Sequence, residues 1–342
     1  MNLEKLVRPN IWRLTPYSSA RHDFEGTGGI HLDANENPYE TGLNRYPDPH
    51  HALVREKIAA IKGVPPEFIA LGNGSDEIID LLIRIFCQPG IDQIMTLDPT
   101  YGMYRVAADI CDVQTVAVSL DTEYQPVPEA IAKATTPHTK LLFLCHPNNP
   151  TANALDQNLV HRIVEAFPGI VVIDEAYIDF CPDKTFVPWI KRYPNLVIMQ
   201  TFSKAWGLAG IRLGMAFSSP EIIKLIYKVK PPYNISTYTQ EQALQSIRNK
   251  NQKDWWVQKI LDQRQWLTVE LEKLPMVERV YPSDTNFILV RVDDAKKWYD
   301  HLRQEGIIIR NRSNVHLCDG CLRITVGTAL ENDALIQALK NA

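Results

Sequence analysis

Between residues 94 and 217, short apolar runs recur, and three of them end in the polar groups that a reactive site needs. The runs cover 94–97, 113–118, 141–145, 170–173, 196–200 and 214–217, with helical patterns at 128–134 and 156–167. Short apolar runs alternating with helices predict a mainly parallel sheet covered on both faces. In such sheets the carboxyl ends of the strands build the site. Here the run 141–145 enters His146-Pro147-Asn148-Asn149-Pro150-Thr151. The run 170–173 ends at Asp174, followed by Glu175-Ala176-Tyr177. The run 196–200 leads into Thr201-Phe202-Ser203-Lys204-Ala205.

These strand ends carry a coherent chemistry. A lysine walled by apolar groups has a lowered pKa and becomes a nucleophile toward an aldehyde. Ser203 before Lys204 and Arg212 after it are groups that clamp a phosphate. Amine, hydroxyl and guanidinium together suit pyridoxal 5′-phosphate, which needs an amine partner and a phosphate anchor. Asp174 is placed to pair with a protonated pyridine nitrogen, and Tyr177 to bond the ring's phenolic oxygen. Taken singly, each has a plainer reading: a surface lysine, a helix-capping aspartate, and a tight turn at Asn148-Asn149-Pro150.

Upstream, Gly72-Asn73-Gly74-Ser75-Asp76-Glu77 feeds a helical pattern through Phe86. A glycine turn into a helix leaves free N–H groups that bind phosphate, at Ser75 and Asp76. Simple capping by either side chain is the alternative. No G-x-x-x-x-G-K-[ST] run is present. The dinucleotide fingerprint also fails, because Glu77 takes the last glycine's place.

The order Asn149-Pro150-Thr151, Asp174-Glu175-Ala176-Tyr177, Ser203-Lys204-Ala205 and Gly210-Ile211-Arg212-Leu213-Gly214 resembles the fold-type I, aspartate-aminotransferase-like enzymes. Leu14-Thr15-Pro16-Tyr17, Asn35-Glu36-Asn37-Pro38, Arg45-Tyr46-Pro47-Asp48, Pro99-Thr100-Tyr101-Gly102-Met103-Tyr104 and Cys321-Leu322-Arg323-Ile324 narrow the likeness to the histidinol-phosphate aminotransferases. The resemblance implies transamination of L-histidinol phosphate with 2-oxoglutarate, giving imidazole acetol phosphate and L-glutamate. It implies pyridoxal phosphate carried by Lys204 and no metal. Asp174, Tyr177 and Asn149 would hold the ring, Tyr101 would stack on it, and Ser75, Asp76, Ser203 and Arg212 would hold its phosphate. Tyr46 would reach the phosphate of a neighbouring subunit in a homodimer. Arg323, with Arg310, Tyr17 and Asn149, would bind substrate. One residue departs from the family pattern: Ala152 stands where a glycine usually follows Asn-Pro-Thr. Threonine-phosphate decarboxylase and aromatic aminotransferases share the fold and remain alternatives. An effector domain of a transcription regulator would need a basic DNA-binding module, for which there is no room before Asn35.

Three units are expected: an arm over 1–40 that packs on the smaller domain or a partner, a large cofactor-binding α/β domain over 41–245, and a small α+β domain over 246–342. A net charge of −4 over 342 residues provides no footprint for nucleic acid. No apolar stretch is long enough to span a membrane. The start lacks a signal-peptide core, so a cytoplasmic protein with six reduced cysteines is expected. Cys318 and Cys321 have CxxC spacing but no second ligand pair, and are read as reduced thiols without a metal or redox role.

Overall fold

The computed structural model describes residues 2–17 and 29–341, organised around two sheets. The larger comprises β1 (Ile69–Asn73), β2 (Gln93–Asp98), β3 (Gln114–Ser119), β4 (Thr139–Cys145), β5 (Ile170–Asp174), β6 (Leu196–Thr201) and β7 (Leu213–Ser218). Their spatial order is β1-β7-β6-β5-β4-β2-β3. β2 to β6 run parallel, and β7 is antiparallel to both neighbours.

The pleat explains why the central strands are apolar throughout. Leu142, Leu144, Val171, Ile173 and Ile198 face one core layer, and Leu141, Phe143, Val172, Val197 and Met199 face the other. The first layer is closed by α3 (Ala52–Lys62), α6 (Pro128–Ala134), α7 (Gln157–Ala166) and α9 (Thr237–Arg248). The second is closed by α4 (Ser75–Phe86), α5 (Met103–Ile110) and α8 (Pro220–Val229).

The N-terminal helices α1 (Leu3–Leu6) and α2 (Pro9–Arg13) lie on the larger domain, where Val7 and Ile11 complete the second layer. Arg8 N–H donates to Ile85 O at 3.0 Å, and Lys228 Nζ donates to Trp12 O at 2.6 Å. Residues 3–13 thus pack on the larger domain of their own chain. Residues 18–28 of the expected arm lie outside the described residues.

The helical stretch expected over 239–273 is two helices, α9 and α10 (Lys250–Glu272). Asn249 separates them with a non-helical backbone and an N–H turned back to Ser246 O and Gln245 O. α10 leads to the smaller unit: β8 (Val277–Val280), β9 (Phe287–Val292), α11 (Ala295–Gln304), β10 (Arg310–Asn311), β11 (Cys321–Thr325) and α12 (Ala329–Lys340). Its antiparallel sheet has the order β10-β11-β9-β8. Arg310 stands opposite Arg323 in its register. Among the described residues no helix is long and apolar enough to cross a membrane.

Candidate active site

The loops after β4, β5 and β6 meet the start of α4 around a cavity of about 250 Å³. Ser75, Asp76, Tyr101, Asn149, Asp174, Tyr177, Ser203, Lys204 and Arg212 all line it. Residues spread over more than a hundred positions converge because parallel strands deliver their carboxyl ends to one edge.

Asp174 closes the floor. It is only 3% exposed. Its Oδ2 accepts from Tyr104 Oη at 2.8 Å and its Oδ1 from Ala176 N–H at 3.1 Å. Burial pushes its pKa up to about 6, and these two hydrogen bonds oppose the rise. No basic side chain forms an ion pair with it in the described structure. Tyr104 itself is fully buried and stacked on Phe143, with ring centroids 4.7 Å apart. The sequence reading gave it no role. Its signal was the second tyrosine of Pro-Thr-Tyr-Gly-Met-Tyr, which the first turn of α5 aims at the end of β5. The next residue, Glu175, faces away. It accepts from Phe186 N–H, Thr185 Oγ1 and Gln200 Nε2, and burial raises its pKa to about 7.

Lys204 is open to solvent along the cleft, but its amine is hemmed in. Burial and then the nearby Arg323 charge lower its pKa, while Asp174 and Asp76 oppose the shift. Nζ lies 5.4 Å from the centre of the Tyr177 ring. The Tyr177 hydroxyl accepts from Asn149 Nδ2 at 3.4 Å, and burial raises its pKa.

The opposite end of the cavity is built for an anion. α4 begins after Gly74 with no side chain capping its first turn, so capping by Ser75 or Asp76 does not account for the motif. Gly74 has φ +76°, and its carbonyl carbon and the Ser75 amide press on Gly214. A Cβ on Gly214 would come within 2.3 Å of Ser75 N. Glycine at 214 thus lets β7 touch the helix start and brings Arg212 alongside. The Arg212 guanidinium reaches Ser203 Oγ at 3.4 Å and Asp76 Oδ2 at 3.2 Å. Tyr101 Oη donates to Asp76 Oδ1 at 3.2 Å, and its ring meets Tyr104 edge-on at 5.5 Å.

At the rim, Arg323 Nη1 donates to Asn149 Oδ1, and its guanidinium sits 5.2 Å from the centre of the Phe287 ring. Three further expected residues lie outside the cavity lining. Arg310 lines a separate surface cleft with Arg312 and Asp300. Tyr17 is 74% exposed. Tyr46 stacks on Tyr233, 4.4 Å between centroids, in a cleft of about 550 Å³.

The donor set suits pyridoxal phosphate at each end. An uncapped helix start, a hydroxyl and a guanidinium match a phosphate dianion. A buried carboxylate lacking a cation matches a protonated ring nitrogen, and a tempered amine matches an aldehyde.

A family model for aminotransferase class I and II matches residues 33–339. Histidinol-phosphate aminotransferase of Cytophaga hutchinsonii is 53% identical over 343 aligned positions, covering 99% of each chain. The crystal structure of the histidinol-phosphate aminotransferase from Clostridium acetobutylicum superposes with a TM-score of 0.81 at 27% identity, covering 88% of this chain and 91% of that one. That of the Sinorhizobium meliloti enzyme, in complex with pyridoxal-5′-phosphate, has a TM-score of 0.80 at 24% identity, with 87% and 82% covered, and bears on the fold alone. The chain is a class I and II aminotransferase and belongs, within that class, to the histidinol-phosphate aminotransferase family.

Proposed function

We propose that this chain transfers the amino group of L-histidinol phosphate to 2-oxoglutarate with pyridoxal 5′-phosphate as cofactor, yielding imidazole acetol phosphate and L-glutamate. The observation that supports this most is one cavity holding a tempered amine, Lys204, between a buried carboxylate and an uncapped helix start. The relatives' names supply the substrate.

When bound, the cofactor supplies an electron sink for the substrate's α-carbon. Asp174 keeps the ring nitrogen protonated, and Tyr104 and Ala176 N–H hold that carboxylate in place. Lys204 Nζ takes the proton from the substrate α-carbon as a base and later returns one as an acid. The lowered pKa of Lys204 favours the neutral amine needed for the first step. Tyr177 and Asn149 hold the phenolic oxygen. Ser203, Arg212 and the amides of Ser75 and Asp76 hold the phosphate, while Tyr101 covers the ring. Arg323, kept in place by Asn149, takes the substrate's carboxylate in one half-reaction and its phosphate in the other. Arg310 and Tyr17 serve the phosphate end.

The working unit in this reading is a homodimer in which Tyr46 of each protomer reaches the cofactor phosphate of the other. Its place outside the cavity of its own chain favours that role. Six free thiols accord with a reducing compartment, the cytoplasm.

The test is glutamate formation by purified protein loaded with cofactor. Glutamate should appear only with histidinol phosphate and 2-oxoglutarate together. Carbon dioxide release from threonine phosphate, without need of an oxo acid, would establish the decarboxylase instead.

A further inference from the structure

Lys230 follows α8 and is 6% exposed, so an ammonium is buried with no carboxylate of the described residues hydrogen-bonded to it. A buried charge needs its hydrogen bonds made, or the group loses its proton. Here they are made by three proline carbonyls and one side-chain amide oxygen. Nζ reaches Pro49 O at 3.0 Å, Pro232 O at 3.1 Å, Pro231 O at 3.2 Å and Asn234 Oδ1 at 3.0 Å. The amine also lies 5.1 Å from the centre of the Tyr227 ring.

The acceptors belong to two loops that share an aromatic contact. Pro49 follows Tyr46 by three positions, and Pro231 and Pro232 immediately precede Tyr233, on which Tyr46 stacks. A third connection runs inward. Asn234 Nδ2 donates to Glu77 Oε2 at 2.7 Å, and the same oxygen accepts from Asn73 N–H just before the α4 start. One ammonium therefore fastens the Tyr46 loop to the Tyr233 loop and, through Asn234, to the turn of the anion-binding helix.

We infer that Lys230 is a positioning residue: it sets the Tyr46–Tyr233 pair in the shape that serves the partner protomer's cofactor site. The inference rests on the shared-site reading of Tyr46 given above. Prolines remove N–H donors from these loops, and the three N–H of Lys230 are shared among four acceptors there, the three proline carbonyls and Asn234 Oδ1. An exposed lysine on either loop could not do this, because water would compete for each carbonyl.

The clasp has a pH limit. Burial lowers the Lys230 pKa to about 8. Glu77 on α4 and Asp48 in the Tyr46 loop raise it, and Arg55 on α3 lowers it. Tyr227 on α8 and His51 beside the loop also face this region. Above pH 8 the amine becomes neutral and loses a donor.

The experiment follows the rate at which bound cofactor leaves the holoprotein after dilution, for the native protein, Tyr46→Phe, Lys230→Met and the double variant. Tyr46→Phe should speed release about 10- to 100-fold, the worth of one hydrogen bond to a charged group. Lys230→Met should speed it comparably, the double variant no further, and Lys230→Arg less than Lys230→Met. Native release should quicken as pH passes about 8, and Lys230→Met should lack that step. Should Lys230→Met not fold, Asn234→Ala, which removes one acceptor and the Glu77 link, should show the same non-additivity with Tyr46→Phe. Native-like release from Lys230→Met and Asn234→Ala, or effects that multiply with Tyr46→Phe, would overturn the inference while leaving the shared site standing. Unchanged release from Tyr46→Phe itself would overturn the shared site and this inference with it.

Discussion

Arg323 on the smaller sheet donates to Asn149 at the end of a strand of the larger one, so the proposed substrate arginine is held by a residue of the cofactor cavity. After burial, its charge is the next largest cause lowering the pKa of Lys204. Arg323→Ala should therefore weaken kcat/KM for both glutamate and histidinol phosphate, by roughly 10- to 100-fold each for lost charge-assisted bonds. Arg310 is its register neighbour and lines a different cleft. Arg310→Ala should weaken histidinol phosphate more than glutamate. Equal losses for the two substrates in Arg310→Ala would remove it from the phosphate end.

Lys204→Ala should retain cofactor through Asp174, Ser203 and Arg212 yet lose turnover by ~10² to 10⁴-fold, the range for general acid–base catalysis. Borohydride treatment of the native holoprotein, followed by peptide mapping, should place the reduced cofactor on Lys204. Labelling of another lysine would end the assignment.

Mixed dimers test the shared site. Lys204→Ala chains lack the amine, and Tyr46→Phe chains lack the reaching hydroxyl. In a hybrid, one of the two cavities receives both native groups. Activity should rise on mixing relative to either parent. No rise, with subunit exchange demonstrated by mass, would contradict the arrangement, and a monomer at working concentration would also do so.

Asp174 makes a pH prediction whose sign is fixed by its raised pKa. In the cofactor-free fold it titrates near 6, above its ordinary value of 3.8. Between those values the folded state binds more protons than the unfolded chain, so stability falls as pH rises through this window. The stability of the native apoprotein minus that of Asp174→Asn should decline from about pH 4 to pH 6 and flatten above. Chemical denaturation at several pH values measures this difference. A constant difference across the window would show that burial does not hold the proton on Asp174.

Much of the cavity was legible because strand ends are conspicuous in sequence. Asp174, Ser203 and Lys204 each follow an apolar run, and a parallel sheet can only bring such ends together. What was not legible depended on packing. β1 reads Ile-Ala-Leu-Gly-Asn, too short and small to signal a strand, yet it pairs with β7 and delivers the α4 start. Tyr104 was given no role, because its hydroxyl partner is 70 residues away. The lysine clasp was invisible for the same reason: its acceptors are carbonyls, which every residue carries. Lengths alone also could not show that 239–273 breaks at Asn249.

The departure at Ala152 was visible in the sequence, and its backbone is left-handed, with φ +71°. A left-handed alanine costs about 1–2 kcal/mol. Its methyl is fully buried among Tyr177, Phe180, Ala205 and Phe287, which returns about 0.8 kcal/mol, and alanine also loses less chain entropy than glycine by ~0.5–1 kcal/mol. The effects nearly cancel. Ala152→Gly should thus leave stability within about 1 kcal/mol of native by denaturant titration. A larger shift in either direction would mean that strain or packing at this loop dominates.

The most direct test of the central claim is the ratio of kcat/KM for histidinol phosphate to that for histidinol, measured with the cofactor-loaded native protein. In the proposed site, a charge-assisted bond of ~1.5–3 kcal/mol from Arg323 at the cavity rim to the phosphate predicts a preference of roughly ten- to a hundredfold for the phosphorylated compound. Near-equal values would contradict the phosphate-reading site and leave a broad aromatic aminotransferase as the better account.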